Sequence, residues 1–255
     1  MITVFILMLA FDENCYNGVI TDCLNAAKLY EKEKNYAKSI EFLDAACILG
    51  DGYSCLKLSH IYLKNLWENV RTIDDKTRHK VSYAYSLRAY EILGIEKVYY
   101  AFCKDFELSS GCLYLSNIYG EQGKTEERNK LLQKAHEIAS KGCTAGKGED
   151  CFTLGIMYYY GVLLNKDEKK AIEILQKSCD LKIAGACFYL KDIYESGNII
   201  PKDEKKSFEY LKKACEYFEP NACYELWKKK KNKEYLLTAC DLGHKQSCSE
   251  LNTKK

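Results

Sequence analysis

Proline is nearly missing from this chain: two prolines in 255 residues, against 21 tyrosines and a background rich in Lys, Glu, Leu and Ala. Proline is the residue a helix interior tolerates least, so its scarcity together with the abundant helix formers predicts an all-α protein. Strand patterning is missing as well, which excludes a glycine-rich phosphate loop set between a strand and a helix. Charge of one sign is not in excess. Lys plus Arg number 38 and Asp plus Glu 36, giving +2, too little field to argue for nucleic acid or an anionic membrane surface. Metal-ligand spacing is also lacking. No C-x-x-C occurs, and none of the four histidines (His60, His79, His136, His244) lies three to five residues from another. No apolar run reaches the ~18 residues that would span a bilayer. No cofactor is expected.

Cysteine, in contrast, is plentiful. The fourteen fall in consecutive pairs: Cys15 with Cys23, Cys47 with Cys55, Cys103 with Cys112, Cys143 with Cys151, Cys179 with Cys187, Cys215 with Cys223, and Cys240 with Cys248. Six pairs are spaced by eight and one by nine. An even, paired set of this kind predicts disulfides and therefore an oxidising compartment. The competing reading is a set of reduced thiols on apolar helix faces.

Shifting the chain against itself by 36 residues explains the spacing. Cys143, Cys179 and Cys215 superpose, as do Cys151, Cys187 and Cys223, and KDEKKAIEILQKSC (Lys166 to Cys179) lies on KDEKKSFEYLKKAC (Lys202 to Cys215). A period of this size signifies stacked supersecondary units, none able to bury its apolar face alone. Each unit reads as two helices. Helix A runs from about Asp150 to Tyr160 and stops at Gly161, a residue suited to a left-handed C-terminal cap. Helix B follows Asp167 as N-cap, with Ala171, Ile172, Leu175 and Cys179 on one face of a 3.6-residue period. The turns from B to the next A carry turn chemistry at Gly50-Asp51-Gly52, Gly185, Pro220-Asn221 and Gly243. One cysteine then sits in the last turn of B and its partner in the first turn of the next A, where two antiparallel helices come close enough to be bridged.

The units are uneven. Cys55 to Cys103 is longer than the regular interval, so 70–112 is expected to form an irregular insertion, with Tyr90 standing in the cysteine position of an unstapled joint. The repeat array is expected over 11–248, with a flexible tail at 249–255. The opening MITVFILMLAFDENC carries an apolar run from Ile2 to Ala10 but no basic start. It reads as a truncated signal peptide over 1–10, the alternative being an apolar first element of the fold.

With these residues in hand, the chain resembles a known family. L-G-x-M-Y-x-x-G (Leu154, Gly155, Met157, Tyr158, Gly161), followed by Lys166, Asp167, Lys170 and Ala171 and then by paired cysteines, is similar to the Sel-one-like repeat, a relative of the tetratricopeptide repeat. The version with C-x7-C in nearly every unit resembles the Helicobacter cysteine-rich protein family. That resemblance implies a right-handed α/α solenoid stapled by disulfides, secreted or periplasmic in a bacterium, binding a protein or peptide partner on a concave face lined by A helices. The surface positions expected there are Thr153, Ile156, Tyr160, Tyr189 and Asp192. The same resemblance implies an alternative, penicillin binding with weak β-lactamase activity and a β-lactam or cell-wall-derived ligand. Serine β-lactamases need Ser-x-x-Lys with S-D-N and K-T-G elements. Only Ser54 and Lys57 match the first, and the others do not occur, so no catalytic residue is assigned. The lysine run from Lys228 to Lys231 reads as a solvated loop.

Overall fold

The computed structural model describes residues 10–66 and 73–253. The expected leader lies outside them except for residue 10, as do the first residues of the irregular insertion and the last two of the expected tail. Among the described residues every regular element is helical. They form two compact units, Met1–Val98 and Tyr99–Lys255, each built by stacking consecutive helices in the α/α solenoid manner.

The first unit holds helical residues 10–16 (α1), then α2 (Ile20–Lys32), α3 (Tyr36–Ile48), α4 (Gly52–Leu63) and α5 (Asp75–Leu93). From α2 onward each helix packs on the next. The second unit takes most of α6 (Ile95–Lys104), then α7 (Ser109–Glu121), α8 (Thr125–Thr144), α9 (Gly148–Tyr160), α10 (Glu168–Asp180), α11 (Ala184–Ser196), α12 (Glu204–Glu216), α13 (Pro220–Lys230), α14 (Lys233–Asp241) and α15 (Lys245–Thr253). From α7 onward each again packs on its successor, and α7 also touches α9.

The two most regular repeats are copies down to their hydrogen bonds. Asp167 and Asp203 cap α10 and α12, accepting from the N–H of Lys170 at 3.0 Å and of Lys206 at 2.9 Å. Their own N–H groups donate to the Tyr158 and Tyr194 carbonyls, each at 3.0 Å. Gly161 and Gly197 end α9 and α11 with φ of 67° and 68°. Only glycine holds that left-handed turn without steric cost.

The B-to-A turns follow a single rule. At all six turns with eight-residue spacing, the N–H three residues after the first cysteine donates to that cysteine's carbonyl, and the next N–H reaches the carbonyl just before it. This is the Schellman arrangement, with the third residue left-handed. Gly18, Gly50, Gly146 and Gly243 occupy that position in four turns, whereas Lys182 (φ 64°) and Phe218 (φ 73°) occupy it in two. The expected turn residues Gly185 and Pro220-Asn221 are therefore displaced. Gly185 lies inside α11, and Pro220 opens α13, where its missing N–H costs nothing. Across every turn the paired cysteines stand 4.4 to 4.9 Å apart between Cα atoms and are bridged, leaving no free cysteine.

The 70–112 segment is more regular than expected. Asp74 caps α5 by accepting from the Thr77 N–H at 3.0 Å, and α5 returns along α4 until Leu93 lies against Gly52, where any Cβ would collide with it. Gly94 (φ 79°) ends α5, whose last turn carries no cysteine. The ninth residue between Cys103 and Cys112 is absorbed by Glu107 at φ 50° and by a bond from the Leu108 N–H to the Phe102 carbonyl at 2.8 Å.

Two expectations near the C-terminus change. Residues 249–253, expected as tail, continue α15, because Tyr224 donates to Glu250 at 2.6 Å and stacks on His244 at 4.4 Å, tying α15 back onto α13. The lysine run is the last turn and cap of α13 rather than a loop. Lys228, Lys230 and Lys231 lie over the rings of Tyr224, Phe208 and Trp227 at 4.9 to 5.0 Å, where the helix C-terminus also favours positive charge.

Lys182 is exposed, so its left-handed backbone can be relieved without loss of packing. Lys182→Gly is expected to stabilise the second unit by about 1 kcal/mol, measured as a rise in the thermal or urea midpoint against Lys205→Gly, which places glycine inside a helix and lowers it.

Candidate functional site

Each A helix of the second unit carries its cysteine in the first turn, so positions counted from that cysteine are equivalent. Two residues on stand Tyr114, Thr153, Tyr189, Glu225 and Glu250, on α7, α9, α11, α13 and α15. Thr153 is only 2% exposed and its hydroxyl donates to the Glu149 carbonyl at 3.1 Å. The expectation that it meets a partner is corrected: a short side chain in this row is shut inside, while its long neighbours reach outward. Tyr114 is 49% exposed and Tyr189 half-buried.

An aromatic group gathers around this row. Tyr160, 56% exposed, lies edge-on to Tyr159 at 4.9 Å. Tyr189 meets Phe152 at 5.7 Å and Tyr159 at 6.4 Å, in both cases edge to face. Burial raises the Tyr189 pKa most, followed by the nearby Tyr160 hydroxyl and by the phenols of Tyr114 and Tyr159. Ile156 is half-buried and packs against core residues on both sides of α9. It supports the group more than it presents a surface. Asp192 is exposed and pairs with Lys191 at 2.6 Å.

Lys191 is the feature the sequence conceals. It is 3% exposed, yet its ammonium lies 2.6 to 3.4 Å from Asp192, Glu225 and Glu195 and 4.5 Å over the Phe188 ring. Burial presses its pKa down, but the hydrogen bonds and charges of Asp192 and Glu225 prevail and hold it raised. The three acids thus sit beside the aromatic group with one buried cation between them. Nothing in the repeat register signals this, since the equivalent positions are Gly155 and Trp227. Tyr114 was findable: it follows Cys112 as Tyr189 follows Cys187.

The single Ser-x-x-K match does not assemble as a nucleophile with its base. Ser54 is 2% exposed and gives both its N–H and its hydroxyl to Asp51, the N-cap of α4, while Lys57 is drawn away to Glu31 at 2.6 Å. Among the described residues no three His, Cys, Asp or Glu side chains converge to hold a metal ion, and no helix is long and apolar enough to cross a membrane.

The Sel1 repeat family model matches residues 29–51, 149–182 and 184–216. The chain carries Sel1 repeats. The two long matches are α9 with α10 and α11 with α12, the pairs whose A-to-B loops run from the left-handed glycine to the capping aspartate. Among solved structures, the chain is similar to a protective antigen of uropathogenic Escherichia coli displaying an SLR fold, with a TM-score of 0.43 and 18% identity. That match covers 96% of this chain, which spans about half (51%) of the antigen. A Sel1 repeat protein from Oxalobacter formigenes matches with a TM-score of 0.41 and 23% identity over 45% of this chain and 95% of its own. YrrB, a TPR protein with an unusual peptide-binding site, matches with a TM-score of 0.30 and 18% identity over 88% and 97%. No curated protein matches.

The raised Tyr189 pKa fixes the sign of a pH effect. A phenol held above its ordinary value of 10.0 stabilises the fold fully below that pH, and the contribution is lost as pH climbs through the folded value. Above pH ~10, Tyr189→Phe is therefore expected to lose stability less steeply than the wild type, with equal slopes below pH 9, as read from urea midpoints across the alkaline range.

Proposed function

We propose that this chain is an exported scaffold that holds a protein or peptide partner on the A-helix face of its second unit. The observation that carries the reading is the edge-to-face group of Phe152, Tyr159, Tyr160 and Tyr189, gathered from two repeats. Such tyrosines offer large contact area with few rotors left to freeze, which is why aromatic residues dominate interface energetics. Sel1 and tetratricopeptide-like repeats bind proteins or peptides in general, and stacked repeats supply extended surfaces for it. Tyr114 and Asp192 extend the proposed face on either side, and Thr153 drops out of it. Export rests on the bridges: seven pairs of cysteines at bonding distance call for an oxidising compartment. Among the described residues no arrangement of side chains favours the β-lactam alternative.

A peptide array tests the docking face. Tyr160→Ala with Tyr189→Ala is expected to weaken the best wild-type binders at least tenfold, while Ser140→Ala, remote from the face, leaves them unchanged; equal binding by all three proteins would defeat the proposal. The compartment is tested separately. Protein recovered from its native source and denatured without reductant should take up no iodoacetamide, and labelling before reduction would remove the case for export.

A further inference from the structure

Between α6, α7 and α8 lies a hollow of about 180 Å3. Leu115 and Leu131 form an apolar floor, 1% and 6% exposed, and Tyr100 and Tyr119 stand at its sides. Three lysines, Lys104, Lys130 and Lys134, reach its rim against a single acid, Glu127. Lys130 is engaged by Glu126 at 2.6 Å. Lys104 and Lys134 have no acidic partner among the described residues.

The hollow of about 300 Å3 beside α11 differs: there Lys191, Lys202 and Lys229 each pair with a carboxylate, the latter two at 2.7 and 3.7 Å from Glu204 and Glu195. Two cations brought to the rim of one apolar slot without a counter-ion repel each other, and an anion placed there relieves the repulsion at a site whose low-dielectric walls strengthen the attraction. The slot is below the range of drug-sized sites, which fits a ligand about as large as one side chain. Glu127 on the rim opposes a second negative group and selects a monoanion.

We infer that this hollow binds a small organic monocarboxylate, its aromatic or branched aliphatic body on Leu115 and Leu131 and its carboxylate toward Lys104 and Lys134. The chemistry is shared by free organic acids and by the C-terminal residue of a peptide. The inference stands apart from the proposed docking face, which uses none of these residues.

Phenylacetate, phenylacetamide and N-acetyl-phenylalanine are titrated into the full chain by calorimetry and ligand-observed NMR. Phenylacetate is expected to bind saturably, and the neutral amide at least tenfold more weakly. Lys104→Gln with Lys134→Gln should cost at least tenfold while leaving the melting temperature within a few degrees; Lys228→Gln with Lys230→Gln, remote from the hollow, should cost nothing. N-acetyl-phenylalanine binding as well as phenylacetate assigns the site to a peptide terminus, and its exclusion assigns it to free acids. Absence of saturable phenylacetate binding, equal affinity for the amide, or unchanged affinity in the Lys104/Lys134 variant overturns the inference.

Discussion

The bend from each B helix into the next A helix is fixed twice over, once by backbone and once by sulfur. The Schellman hydrogen bonds satisfy the last carbonyls of helix B and set the exit direction of the chain. The bridge then joins the last turn of B to the first turn of A at a Cα separation of 4.4 to 4.9 Å. A closure of nine residues removes about 2.5 kcal/mol of unfolded-state freedom on the loop-entropy model. For units of about thirty-six residues, which bury too little surface to stand alone, that is a large fraction of their separate stability. The two devices also compensate for each other. Where the left-handed corner falls on Lys182 or Phe218 instead of glycine, the backbone is strained, and the bridge holds the turn regardless.

This double fixing decides what the A helices present. Because the cysteine lies in the first turn of each, it sets the rotation of the helix, and residues at equal distance from it reach equivalent places. In the second unit the row two positions on is thereby made of Tyr114, Thr153, Tyr189, Glu225 and Glu250, and the differences between repeats become a pattern across a surface. The short threonine leaves the row closed at α9, the tyrosines fill it on either side, and the glutamate turns it acidic at α13. Lys191 adds to the change of character, since its one positive charge is spread over Asp192, Glu195 and Glu225. A buried ammonium of this kind is tolerated only because its partners are complete. Removal of one acid leaves the others to hold the ammonium, whereas removal of the lysine leaves three carboxylates facing one another.

Much of this was legible before any coordinates. The cysteine spacing and the 36-residue period carried the helix pairs, the caps at Gly161 and Asp167, and the places of the bridges, because backbone chemistry of that kind repeats and repetition shows in sequence. What stayed hidden depends on single substitutions within the repeat. The left-handed Lys182 and Phe218 look like ordinary helix residues, so the turn chemistry was assigned to the nearest glycine and proline instead. Thr153 was given to the surface by alignment with Tyr189, although the two differ in reach by a whole ring. Lys191 had no precedent at Gly155 or Trp227, and its burial follows only from acids contributed by α11 and α13 together.

The irregular segment shows which part of the unit is dispensable. No bridge leaves the far end of α5, yet Leu93 closes on Gly52 as Leu181 and Ile183 close on Gly148 in α9 and α10, which are stapled to α8 and α11 but not to each other. Helix pairing therefore does not require the sulfur: a glycine that lets the start of A approach the end of B brings the two together by packing alone. The bridge acts on the step that follows, from one pair to the next, where it adds to the packing of B on the next A. A chain stapled only at those steps keeps each pair free to vary in length, as the nineteen-residue α5 and the nine-residue α14 do, while the A helices stay in register. Variation in the loops and constancy at the bends are the same design seen from its two ends. A partner docking on the proposed face would meet side chains whose backbone has no freedom left to lose, and that preorganisation lowers the entropic cost of binding.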